Sequence, residues 1–212
     1  MGAELRALLA AGALVLVWSG WAPYDRSTWW MEVAPIFVAL PILWWTARRF
    51  ALTRLLYRLI LLHAVVLMIG GHYTYARVPA GFWVEQALHL ARNPYDRLGH
   101  LVQGFVPALI ARELLLRKTP LRAGGWLFTI VCAVALAISA CYEFVEWWTA
   151  LATGDAATDF LGTQGDPWDT QWDMFCALVG AVLAQLTLGR AHDRALARLS
   201  ATPAGVTASA MR

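Results

Sequence analysis

Six stretches without a charged side chain, at 7–24, 33–47, 59–76, 98–111, 123–142 and 174–189, constrain this chain more than any other feature. A helix needs roughly 20 apolar residues to cross the hydrocarbon core, and about 17 suffice when its ends snorkel or the bilayer thins. The first, third and fifth runs qualify directly. The second, fourth and sixth do so once flanking residues such as Met31, Leu114, Leu115, Leu116 or Trp172 join them. Backbone inside lipid must satisfy its own hydrogen bonds, which leaves helices or closed barrels. These runs lack the period-two alternation of strands. The expected fold is therefore all-α, a polytopic membrane helical bundle of six transmembrane helices. Composition agrees, because only 15% of residues are charged, against about 25% in soluble domains. Residues 1–200 are expected to form a single six-helix domain. The segment 201–212, rich in Ala, Thr, Ser and Gly from Thr202, is expected to be a disordered tail.

Lys and Arg set the expected orientation. Arg6, the 2–3 loop (Arg48, Arg49, Arg54, Arg58), the 4–5 loop (Arg112, Arg117, Lys118, Arg122) and the tail (Arg190, Arg194, Arg198, Arg212) put 13 of 17 basic residues on one side. The positive-inside rule makes that side, and both termini, cytoplasmic. An even number of spans requires the same. Arg6 before the apolar stretch 8–17 resembles the start of a signal peptide. Trp18, Trp21 and Pro23 follow instead of a small-residue cleavage site, so a retained first span is expected. Eleven of the 14 acidic residues fall on the opposite, periplasmic side, an excess that topology rules do not explain. Nine of the 12 tryptophans also lie near that interface, as an aromatic belt would place them. Residues 79–92 read as a short interfacial helix and 162–169 as a turn-rich loop.

Four distant segments bring polar residues to that same face. Span three ends in Gly70-Gly71-His72-Tyr73; span four begins Tyr95-Asp96-Arg97-Leu98-Gly99-His100, with Gln103 one turn on. Span five ends Tyr142-Glu143-Phe144-Val145-Glu146, and span six begins Asp169-Thr170-Gln171-Trp172-Asp173. The pairs Asp96/His100 and Asp169/Asp173 are i,i+4 and Glu143/Glu146 is i,i+3, so each pair shares a helix face. An ionised residue at mid-span costs about 2.5–3.5 kcal/mol on insertion scales and usually faces the protein interior. Asp96, His100, Glu143, Glu146, Asp169 and Asp173 are therefore candidate catalytic residues. His72, His100, Glu143, Glu146 and Asp173 are candidate ligands for a divalent metal ion, since carboxylates with one or two imidazoles suit Mn, Fe, Mg or Zn, though His72 reads equally as an interfacial hydrogen bonder.

Two other chemistries fit the same residues. Repulsion between crowded carboxylates keeps a proton on one of them, which suits general acid–base work with a histidine. The set could also relay protons or ions. Against all three stands a structural ion-pair network with Arg26, Arg92 or Arg97. His63, at mid-span, reads as an interhelical hydrogen bonder. His89 and His192 read as surface residues, and Asp155, Asp159 and Asp166 as solvated loop charges. Cys132, Cys141 and Cys176 lie in apolar segments without metal-like spacing and read as small buried hydrophobes. No Ser or Cys has a base at nucleophile spacing. No basic patch carries a nucleic-acid-reading motif, so no nucleic-acid partner is expected.

Pro23-Tyr24-Asp25-Arg26-Ser27-Thr28-Trp29, Asn93-Pro94-Tyr95-Asp96-Arg97-Leu98-Gly99-His100, Tyr142-Glu143-Phe144-Val145-Glu146-Trp147 and Trp168-Asp169-Thr170-Gln171-Trp172-Asp173-Met174 resemble the YjdF-like family of uncharacterised bacterial inner-membrane proteins. The resemblance spans roughly 21–189 and implies an inner-membrane location without an activity. The last three spans resemble the VanZ-like group more weakly. Asp96-Arg97-Leu98-Gly99-His100, Glu143, Asp169 and Gly180 match its pattern, while Glu146 and Asp173 replace its usual Gln and Asn. Both departures add a carboxylate. That resemblance implies cell-envelope chemistry.

The leading functional expectation is a membrane-embedded enzyme, metal-dependent or acid–base, acting on a lipid or envelope precursor at the outer leaflet. A non-enzymatic scaffold pinned by ion pairs comes second, and a small proton-coupled transporter third, because only His63 is clearly mid-span. The bilayer is the expected partner.

Overall fold

The computed structural model describes residues 2–154 and 158–201, with side chains at 158 and 159 excepted. Asp155, the side chain of Asp159 and the tail from Thr202 thus lie outside the described residues. Among the described residues there are six long helices: α1 (Ala3–Gly20), α2 (Arg26–Thr46), α3 (Arg54–Tyr73), α5 (Tyr95–Lys118), α6 (Gly125–Thr153) and α8 (Asp169–Ala201). Two short helices, α4 (Pro79–Leu88) and α7 (Thr158–Leu161), and a 3₁₀ turn (Tyr75–Arg77) lie at one end. No strand occurs among the described residues. Helices α1, α2, α3, α6 and α8 are long and apolar enough to cross a membrane.

The fourth run extends to Tyr95–Lys118, long enough to cross but rich in charge. Its position explains that composition, because α5 packs against α3, α6 and α8 and presents little surface outward. Asp96, His100, Arg112 and Glu113 are all buried on it. Its main partner is α8, and the two backbones touch. A Cβ at Gly104 would overlap the Ala177 carbonyl, and one at Gly180 the Leu101 carbonyl. Ala108, Ala177, Ala181 and Ala184 continue this seam with no exposed surface. Small residues substitute here for a hydrophobic driving force that lipid does not supply between helices.

At the end opposite α4 and α7, a polar network ties α3, α5 and α8. The Glu113 carboxylate accepts from Thr53 N (3.1 Å), Thr53 Oγ1 (2.9 Å), Arg117 (2.6 Å) and His192 Nε2 (3.0 Å). Arg112 donates to His192 Nδ1 (3.1 Å) and pairs with Asp193 (2.8 Å). A guanidinium only donates, so His192 accepts at Nδ1 and carries its proton on Nε2. His192 is therefore not a surface residue; it is fully buried, because α5 supplies a carboxylate and a guanidinium on either side of its ring.

Other expectations change in the same way. Trp29 is buried rather than interfacial, and its indole N–H donates to Ser19 Oγ (3.2 Å). Trp21, Trp30, Trp83, Trp147, Trp148 and Trp168 are all more than half exposed, as a belt requires. The amphipathic segment forms α4 but stops at His89, whose φ of 52° ends the helix. Cys132 is buried, whereas Cys141 is exposed on α6.

Candidate functional site: an acid–imidazole cluster beside a cavity

The start of α5 fixes the site. Asn93 accepts from Tyr95 N (3.0 Å) and donates to the Val78 carbonyl (3.0 Å). Gln164 exchanges two hydrogen bonds of 3.0 Å with the Asn93 backbone. With the helix begun at Tyr95, Asp96 and His100 stand one turn apart on one face. Beside them Arg92 donates to Asp96 (3.3 Å), to the Gly162 carbonyl (2.9 Å) and to Asp169. Arg97 pairs with Asp166 at 2.8 Å, so Asp166 is an ion-pair partner rather than a solvated charge. Arg26 is absent from this network; it donates instead to the Gly20 carbonyl (2.7 Å).

His100 is the hub. Its Nε2 lies 3.8 Å from Asp96 Oδ1 and 3.9 Å from Asp173 Oδ2, and its Nδ1 lies 3.8 Å from Glu143 Oε1. All four side chains are buried. These separations exceed hydrogen-bond length. His100 Nδ1, Glu143 Oε1 and Asp173 Oδ1 have no hydrogen-bond partner. Two triplets, Asp96/His100/Asp173 and His100/Glu143/Glu146, each keep one donor atom per residue within 4.8 Å of the others. A cation with bonds of about 2.0–2.2 Å brings its ligand atoms to about 3–4.4 Å from one another, close to these spacings.

Charge points the same way. Among the described residues, Glu32, Asp96, Glu143, Glu146, Asp169 and Asp173 gather on the His100 side. Asp166 adds a further carboxylate against Arg92 and Arg97, the two permanent cations paired with this group. Uncompensated charge is expensive away from water, so bound protons or a cation must offset this excess.

A cavity of ≈ 350 Å³ opens beside the cluster, with Glu32, Tyr75, Asp96, His100, Tyr142 and Glu146 at its polar end. Pro35, Leu67, Pro107 and Ile138 line its apolar part. Prolines 35 and 107 lack the N–H that would bond one turn back, which bilayer helices tolerate where packing or a cavity compensates. His63 Nε2 and Gln103 Oε1 border the cavity without hydrogen-bond partners, so His63 is not the interhelical bonder expected of it.

Glu32 is the site residue the sequence reading missed. It lies two turns into α2, almost fully buried, and accepts from Tyr142 (3.3 Å). Its signal was the Asp25-Arg26-Ser27-Thr28 start, where Asp25 accepts from Thr28 N (2.7 Å) and begins the helix well before the charge-free run. Asp96, His100, Glu143, Glu146 and Asp173 meet as a group, and Asp169 joins through Arg92. His72 does not meet them. Its Nδ1 lies 3.0 Å from the Ser19 carbonyl and its ring stacks on Trp18 at 4.5 Å, because the end of α3 rests against α1.

Fold and site together define a polytopic helical membrane protein with a buried acid–imidazole centre at one end of its bundle. The chain belongs to the family described as "Predicted membrane protein (DUF2238)", which matches residues 4–194. It is 57% identical over 185 residues to "Inner membrane protein YjdF" of Escherichia coli (strain K12), covering 87% of this chain and 88% of that protein. No solved structure matches it. The chain is a multi-pass inner-membrane protein, and the YjdF-like resemblance read from its motifs holds.

Proposed function

We propose that the cluster is a periplasm-facing site that binds a divalent metal ion and, with it, performs acid–base chemistry on a lipid or cell-envelope substrate. In this reading residues 1–200 form one unit of six spans, α5 included, with both termini in the cytoplasm. The basic residues near the Glu113 end support that orientation. At the Nε2 edge His100, Asp96 and Asp173 would hold the ion, while Glu143 at the Nδ1 edge, with Glu146 beside it, would orient the ring and Arg92 would orient Asp96 and Asp169. A bound cation supplies Lewis acidity, and the remaining carboxylates accept or donate protons.

One observation carries the reading: a buried imidazole with carboxylate oxygens 3.8–3.9 Å from each of its nitrogens, the His100 Nδ1 and Glu143 Oε1 atoms of that set lacking hydrogen-bond partners. A purely structural network would instead close its bonds, as the Glu113–His192 network does. Metal analysis of the purified protein tests it. Near-stoichiometric divalent metal is expected in the parent, lost in His100→Ala, Glu143→Ala and Asp173→Ala variants that still insert. A metal-free parent of full stability favours the ion-pair scaffold.

A further inference from the structure

The cavity lies beneath α7 at one end of the bundle and borders outward-facing residues along α6. Over the Tyr142 end of the cavity sits α7, with the loop behind it. Helix α7 packs against α2, α6 and the Tyr75–Arg77 turn, and its Phe160 is buried 6.4 Å from the Tyr142 ring. Beyond it, Gly162 and Gln164 are tied to Arg92 and Asn93 by three hydrogen bonds of 2.9–3.0 Å. Gln164 holds this clasp at a φ of 48°, a left-handed conformation that non-glycine residues adopt only where the surroundings fix it.

The side is different. Helix α6 packs on α5 and α8, and α2 packs on α3. Among the described residues, Tyr142 to Glu32 is the one side-chain hydrogen bond between α2 and α6. On α6 three of the five residues that line the cavity are turned outward: Ile138 is 39% exposed, Val145 is 45% exposed, and Cys141 is exposed between them. Ile138 lies 13 residues into α6, about 20 Å along its axis at 1.5 Å per residue. With α6 crossing the membrane, that mid-helix position falls within the hydrocarbon layer of about 30 Å. Water has no reason to enter an apolar mouth there, whereas an acyl or prenyl chain does.

We infer that the α2–α6 gap is a lateral portal through which a membrane lipid enters, laying one apolar chain along Pro35, Leu67, Pro107 and Ile138 and bringing its polar head to the His100 cluster. The inference rests on the functional reading above and narrows it to substrates that reach the site from within the bilayer, not from the periplasmic fluid. His63 and Gln103, facing the chain-binding part, offer hydrogen bonds to a carbonyl or hydroxyl near the head of that chain.

Cys141 is a native reporter at the portal. In full-length protein carrying Cys132→Ala and Cys176→Ala, reconstituted in phosphatidylethanolamine/phosphatidylglycerol nanodiscs, a bilayer-partitioned pyrene maleimide is expected to label Cys141 at least tenfold faster than a sulfonated maleimide. Equal or faster labelling by the sulfonated reagent overturns the portal, since the cavity then opens to water. Native mass spectrometry of protein released from the same discs is expected to find one retained phospholipid. That lipid is expected to be lost in Ile138→Trp and in Val145→Trp, with metal content unchanged. Retention in both folded variants also overturns the inference. A parent without metal that still retains lipid through this route refutes the metal reading alone, so the two failures are separable.

Discussion

Glu113 and His192 share a 3.0 Å hydrogen bond between two fully buried side chains, and every other polar atom of the pair is satisfied as well. This network joins the start of α3, the end of α5 and the end of α8, so it fixes the bundle opposite the candidate site. Replacing Glu113 by Ala leaves Arg117, His192 and Thr53 without their acceptor. The expected loss is about 3–5 kcal/mol, read as reduced thermal or denaturant stability in detergent. His192→Ala is expected to cost less, about 1–3 kcal/mol, and neither change should alter metal content per folded molecule.

The α5–α8 seam makes a second prediction. Gly104→Ala and Gly180→Ala each push a methyl into a facing backbone carbonyl. Overpacking of this kind costs about 1–3 kcal/mol, and here it also spreads the helices that carry His100 and Asp173. Both stability and metal affinity are therefore expected to fall. Gly125→Ala, where an added Cβ meets nothing, is the control and should be neutral.

Orientation is tested by accessibility. Single cysteines at Gly165 and at Arg49, in a cysteine-free background, are expected to react with an impermeant maleimide from opposite sides of the membrane. Gly165 should label in intact spheroplasts and Arg49 only after permeabilisation. The reverse pattern would place the cluster in the cytoplasm.

Asp25 gives a pH prediction outside the spans. The Ser27 hydroxyl and then the Thr28 amide bond its carboxylate and hold its pKa below the ordinary 3.8. A depressed folded pKa means that the cap contributes stability above pH 3.8 and loses it as pH falls through the lower folded value. Asp25→Ala is expected to cost about 1 kcal/mol at neutral pH and to flatten that acid limb of the stability profile.

Much of the site was legible because helical spacing is rigid. Once Tyr95 begins α5, Asp96 and His100 must share a face, and the same holds for Glu143 with Glu146 and Asp169 with Asp173. Residues whose role depends on a partner in another helix were not legible. Glu32 sits just ahead of an apolar run and reads as its flank until Tyr142 is seen against it. His192 sits among tail charges, and only Glu113 and Arg112, some 80 residues earlier, reveal that it is buried. His72 fails for the converse reason: its place at the end of α3 is right, but the helix beside it is α1.

The direct test of the central claim is whether the His100 imidazole binds a metal. Mn(II)-loaded protein examined by electron spin-echo envelope modulation is expected to show coupling to one imidazole nitrogen. That signal should vanish in His100→Gln and persist in His63→Gln and His72→Gln. Failure of the purified parent to bind any divalent metal at one equivalent, or a nitrogen coupling that survives His100→Gln, would contradict the account.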